Sequence, residues 1–192
     1  MDKKYEFTGE TMKYKGHVLH RIKRLEDGRL LGWIESEDNL SHEGECFVGE
    51  RAKVYGNARV YGDARVYGDA EVCDDAEVFG RAIVGSYSLV FDSAKIFGNA
   101  YLTDRSWVYG QAQVYDDACI GDDAHIGGNA RVFDNSGVYG LANVKDNAKI
   151  YGNAKIYGNA LISGDAELGG DVQVYKNKSI DAGTFETGIF NK

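Results

Sequence analysis

At 192 residues with 43% hydrophobic content, the chain is long enough to bury one domain core and is no disordered segment. Proline is absent while glycine reaches 25, which suits a fold whose backbone N–H groups serve ladders and whose tight corners recur. A formal charge of −8 argues against binding nucleic-acid polymers or anionic membranes, because those surfaces reward clustered Lys and Arg.

The opening residues Met1 to Tyr5 lack the apolar stretch of a signal peptide, and no run approaches the roughly eighteen apolar residues of a membrane span, so cytoplasmic residence is the expectation. Residues 1–47 read as a β-rich cap. His17 to Arg24 and Arg29 to Ile34 are strand-like, and Asp27-Gly28 between them supplies a hairpin turn. Such a hairpin would close a tube whose first coil otherwise offers open backbone and apolar core to solvent. Cys46, Cys73 and Cys119 are odd in number and widely spaced, unlike zinc or redox pairs, and read as free thiols.

Residues 48–179 fall into twenty-two uninterrupted blocks of six, such as Val54-Tyr55-Gly56-Asn57-Ala58-Arg59. Position one is always Val, Ile or Leu, and position five is Ala or Ser except at Val172 and Lys178. Alternation explains the pattern: position five points inward, six outward, the next position one inward and position two outward, giving one short strand per block. Positions three and four, mostly Gly or Asp followed by Asn or Asp, make the corners, since these residues tolerate left-handed backbone and bond their own main chain. The inward Ala beside each corner is a packing demand where two sides of a narrow tube converge.

Outward residues decide how many sides the coil has. Spacing by eighteen aligns Tyr61, Phe79, Phe97, Tyr115, Phe133 and Tyr151, whereas spacing by twelve places Cys73 and Gly85 after Tyr61. Three blocks per turn therefore fit, giving a triangular prism of about seven coils, roughly 35 Å long at about 4.8 Å per coil.

The block Val54-Tyr55-Gly56-Asn57-Ala58 resembles the hexapeptide-repeat superfamily, whose aliphatic, loose, loose, Asn or Asp, small pattern it follows. The lead-in Gly32-Trp33-Ile34, Asp38-Asn39-Leu40-Ser41 and Gly44-Glu45-Cys46-Phe47-Val48 resembles the YdcK-like branch of it. The resemblance implies the fold class: all-β, a single-stranded left-handed parallel β-helix with three hexapeptides per coil and an N-terminal β-hairpin cap. Handedness comes from the resemblance alone, because ordinary parallel crossovers are right-handed. Residues 180–192 leave the repeat and form a tail, with Phe185 and Phe190 as plugs for the far end.

Position six, normally polar, becomes Ile83, Leu89, Tyr101 and Trp107 with only Lys95 between. Together with Tyr87 at a corner and Phe91 and Tyr109 in position two, these outline an apolar patch across one edge of the prism, of the kind that marks an interface or ligand site. The ladder from Tyr61 to Tyr151 competes for the role, although stacked rings also stabilise coils directly. Identical sides could associate about a threefold axis, so a homotrimer is the expected assembly, with a protein partner or small ligand as the other occupants. Phe133 and Tyr151 beside Arg131 and Lys149 could alternatively hold a small nucleotide.

Superfamily acyltransferases commonly use a histidine as general base, and His125, with Asp123 to orient it, is the candidate that the resemblance implies, acetyl-coenzyme A being the cofactor. Against this, the repeat has no inserted loop and no glycine- and basic-rich tail for coenzyme A. The corner acids Asp74, Asp75, Asp116, Asp117, Asp122 and Asp123 follow conformational preference, Asn alternating with Asp, so no metal site is expected. No nucleophile triad, P-loop or dinucleotide fingerprint is present. The primary expectation is a noncatalytic binding or scaffold protein without cofactor.

Overall fold

The computed structural model describes residues 3–49 and 51–191; Met1 and Asp2 of the cap, Glu50 and Lys192 lie outside the described residues. From Phe47–Val48 to Ser179–Ile180 the chain forms a two-residue strand every six residues, position six followed by position one. These strands stack in parallel as three walls, in which Phe79 and Phe97 lie one coil apart on the same wall. The ladder wall carries Tyr61 to Tyr151, the tryptophan wall pairs Leu89 with Trp107 and Trp107 with His125, and the tyrosine wall pairs Ile83 with Tyr101. The expected three-sided parallel solenoid is therefore what the chain builds.

Each wall buries its position-one aliphatics and position-five alanines in one continuous core. Ser88, Ser106 and Ser136 take the alanine position without leaving a buried hydroxyl unpaired. Ser88 and Ser106 bond each other at 3.1 Å, and Ser136 donates to the Phe133 carbonyl at 2.6 Å. Corners need positive φ, met by Gly56 at 68° and, one coil on, by Asp74 at 59°. Asp contributes more than tolerance there: Asp74 accepts the Asp92 N–H at 3.1 Å, and Asp122 accepts that of Gly140 at 2.9 Å.

The solenoid outruns the repeat at both ends. Ile34, Leu40 and Val48 lie beneath Val54, Val60 and Val66 on the three walls, forming a first coil whose inward residues are spaced six and then eight apart. Asn39, buried, ties this coil down: Oδ1 accepts the N–H groups of Glu35 and Ser36, and Nδ2 donates to Gly56 and Ala58 carbonyls at 3.0 and 2.8 Å. At the far end Ile180, Phe185 and Phe190 stack on Ile162, Leu168 and Val174 with five-residue spacing. Phe185 and Phe190 thus occupy the aliphatic position, pack on the core and meet edge to face at 5.2 Å.

The cap has one strand more than a hairpin. β1 (Tyr5–Tyr14) pairs antiparallel with β2 (His17–Arg24), which pairs antiparallel with β3 (Leu30–Ile34), and β3 opens the tryptophan wall in parallel. Lys15 and Gly16, both at positive φ, form the two-residue turn between β1 and β2. Among the described residues no helix is long and apolar enough to cross a membrane.

Candidate functional site

The ladder wall realises the expected column of six rings as a continuous stack. Successive centroids lie 4.9, 4.9, 4.8, 5.0 and 5.4 Å apart, with planes within 11° of parallel. The spacing is close to the interstrand distance, so the stack forms without distorting the ladder. Several of its polar groups are taken up internally. Tyr61 donates to Glu77 at 2.7 Å, Lys95 pairs with Glu77 at 2.8 Å and Lys149 with Glu167 at 2.6 Å. Tyr151 ends the column by donating to Glu186 at 2.6 Å. Burial and the Glu77 hydrogen bond push the Tyr61 hydroxyl up to about 12, so it remains a donor.

The tryptophan wall is unlike this. Its outward position-six column runs Lys53, Glu71, Leu89, Trp107, His125 and Asn143, changing chemistry at almost every coil. The turn end of the β1–β2 hairpin folds over the lower part. Met12, Tyr14 and Leu19 pack there against Trp33, Tyr55, Cys73, Leu89 and Phe91 as a second apolar cluster on the outside of the tube. Glu71 clasps the hairpin, accepting from Tyr14, from Lys15 at 2.8 Å and from Tyr55 at 3.1 Å. Burial pushes the Glu71 carboxyl up, but the hydrogen bonds from Lys15 and Tyr14 more than offset it and hold it below the usual range. Burial likewise drives the Cys73 thiol up to about 11, and all three cysteines are free.

Beyond the hairpin the aromatic surface continues uncovered. Phe91 stacks on Tyr109 at 5.2 Å and meets Trp107 edge to face at 6.4 Å, while Trp107 stacks on His125 at 4.8 Å and 4°. Tyr109 lies flat over Gly127, where a Cβ would come within 2.4 Å of its ring, so that glycine lets the column bend aside. Trp107 remains 41% exposed and Tyr87, on the edge toward the tyrosine wall, 64%. Leu141 on the same edge is 61% exposed and joins the surface; as the other apolar residue in a corner position four, it carried the same signal as Tyr87.

Ile83 and Tyr101 lie on the tyrosine wall, where Tyr67 reaches across Gly85 to bring its hydroxyl 3.5 Å from that of Tyr101. Between them and Trp107 the edge carries charge, with Asp104, Arg105, Asp122 and Asp123 around Tyr87. The expected patch residues thus form two groups flanking a charged edge on which Tyr87 itself stands. His125 borders a shallow depression with Arg105, Trp107, Asp123 and Leu141. Both Asp123 oxygens are held by Arg105, at 2.7 and 2.9 Å, so the orienting partner expected for His125 is engaged elsewhere. Among the described residues no cluster of three or more His, Cys, Asp or Glu could hold a metal ion.

A family model described as YdcK Beta solenoid repeat matches residues 52–68 and 58–74, the coils on which the hairpin lands. No curated protein matches the chain. The matched segments agree with the solenoid and with the YdcK-like resemblance of the lead-in, and they carry no assigned chemistry of their own.

Proposed function

We propose that this YdcK-like β-solenoid is a noncatalytic scaffold that binds through the tryptophan wall beyond the hairpin, and that its first partner is a further copy of the chain. One observation carries the reading: Trp107, stacked flat on His125, stays 41% exposed beside Tyr87 and Leu141, which are more than half exposed on the adjoining edge. Aromatic anchors held in place by their neighbours yet open on one side lose little entropy on docking and are the residues that dominate interfaces. Three such walls facing a common axis would give a homotrimer. Light scattering across a concentration series tests this: an oligomer that dissociates in Trp107→Ala with Leu141→Ser supports it. A monomer at every concentration would remove self-association.

The alternative is acyl transfer with His125 as base and acetyl-coenzyme A as donor, supported by the position of His125 at the shallow depression. Calorimetry with acetyl-coenzyme A separates the two, since binding heat that vanishes in His125→Ala belongs only to the second. Nucleotide sequestration by Phe133 and Tyr151 draws less support, because Phe133 stacks on rings of both adjoining coils and Tyr151 lies between Phe133 and Gly169.

A further inference from the structure

The edge between the tyrosine and tryptophan walls carries a row of corner residues eighteen apart: Arg51, Asp69, Tyr87, Arg105 and Asp123. Each stands one coil above the last, so the row is evenly spaced at about 4.8 Å. The backbone keeps the same register, Asp69 donating to the Ser86 carbonyl, Tyr87 to that of Asp104 and Arg105 to that of Asp122. Within the row Arg51 pairs with Asp69 at 2.9 Å and Arg105 with Asp123 at 2.7 Å, while the Tyr87 ring stands exposed between the two pairs.

The signs along the row therefore run plus, minus, Tyr, plus, minus. From the other end they run minus, plus, Tyr, minus, plus, which is the opposite at every charged position, so the row is complementary to its own reverse. Bonding capacity is left for a second row. A guanidinium has about five N–H donors and a carboxylate about four acceptor sites, of which each internal pair uses one or two. Asp104 and Asp122, beside the row, are turned along the tube, where their carboxylates accept the Asp122 and Gly140 N–H groups at 3.3 and 2.9 Å.

We propose that two copies of the chain pair antiparallel along this edge, about a twofold axis through Tyr87. Tyr87 then meets Tyr87 of the second copy, Arg51 meets Asp123 and Asp69 meets Arg105, each charged contact occurring twice. Two ridges alone would touch little. The β1–β2 hairpin, standing on the tryptophan wall over Tyr55, Cys73 and Phe91, fills the wedge beside the ridge, and the twofold lays it across from Trp107 and His125 of the second copy. The inference rests on the reading that the chain self-associates beyond the hairpin, and it makes that association twofold where the walls alone would also allow three copies.

Light scattering and native mass spectrometry of the full chain test it, using charge exchanges that keep both internal ion pairs. Arg51→Asp with Asp69→Arg turns the row into minus, plus, Tyr, plus, minus, so that like charges meet across the twofold. Arg105→Asp with Asp123→Arg does the same from the other end. Each exchange should weaken the wild-type dimer at least about tenfold without unfolding the chain, as read by circular dichroism. All four substitutions together should restore the dimer, and so should mixing the two exchanged chains, which complement each other at every charged position. A trimer, a dimer indifferent to the exchanges, or failure of either rescue would overturn the twofold edge while leaving self-association in place. A monomer at every concentration would remove this proposal together with the reading it rests on.

Discussion

The ladder wall and the tryptophan wall are built from the same positions of the same six-residue block, yet they end in opposite states. On the ladder wall each inner ring lies between two others, the outer hydroxyls of Tyr61 and Tyr151 meet Glu77 and Glu186, and Lys95 and Lys149 meet acids one coil away. On the tryptophan wall the residue type changes from coil to coil, so stacking cannot close the column by itself. A separate piece of chain, the β1–β2 hairpin, covers Tyr55, Cys73, Leu89 and Phe91, and the surface past it stays open. Periodicity lets the rings of a solenoid face cover one another from within. Where periodicity fails, another body makes the contact, and here the chain itself supplies half of it.

The largest expected effect separates the two faces. Phe97→Ala removes a half-buried ring and two stacking contacts, and should cost about 2–3 kcal/mol, read as a lowered denaturation midpoint. Oligomeric state should not change. If Phe97→Ala dissociates an oligomer without destabilising the chain, the faces have been assigned in reverse.

A somewhat smaller effect tests whether the hairpin is the tryptophan wall's own cover. Glu71→Gln replaces a carboxylate that accepts from Tyr14, Lys15 and Tyr55, and should loosen the hairpin by about 1–2 kcal/mol. Hydrogen exchange in residues 5–24 should speed up, and Cys73, buried beneath the hairpin, should become alkylated faster, with Cys46 as an internal standard. The folded Glu71 carboxyl titrates below its usual value, so its stabilisation is complete above the unfolded value near 4.5 and is lost as pH falls through the folded one. The wild-type hairpin should therefore open on acidification, while Glu71→Gln should show a much smaller pH response.

The walls were legible because strand alternation and the eighteen-residue spacing are both written in residue type: an aliphatic at position one, a small residue at position five, and a ring in every third block from Tyr61 to Tyr151. The flanking coils were not, for a simple reason of phase. Two extra residues between Leu40 and Val48 break the register at the start, and blocks shortened to five at Ile180, Phe185 and Phe190 break it at the end. β1 was hidden by its bulge between Phe7 and Thr11, which shifts the alternation halfway along. Coverage of Leu89 and Phe91 by Met12 and Tyr14 is a tertiary match between distant segments and has no local signature.

The smallest effect is the sharpest check on saturation. Lys95 lies on the ladder wall 2.8 Å from Glu77, but the same carboxylate also accepts from Tyr61 at 2.7 Å, and both charged side chains keep contact with water. Lys95→Met should therefore cost no more than about 0.5 kcal/mol at low salt, and less as salt screens the pair. The hydrogen bond from Lys95, then that from Tyr61, holds the Glu77 carboxyl below its usual value. The contribution of the pair is present above the unfolded value and disappears as pH falls through the folded one, so the stability curves of wild type and Lys95→Met should converge in acid. A penalty of several kcal/mol that survives high salt would mean that Lys95 carries a structural contact beyond the ion pair, and that the ladder wall is not closed by its rings and paired charges alone.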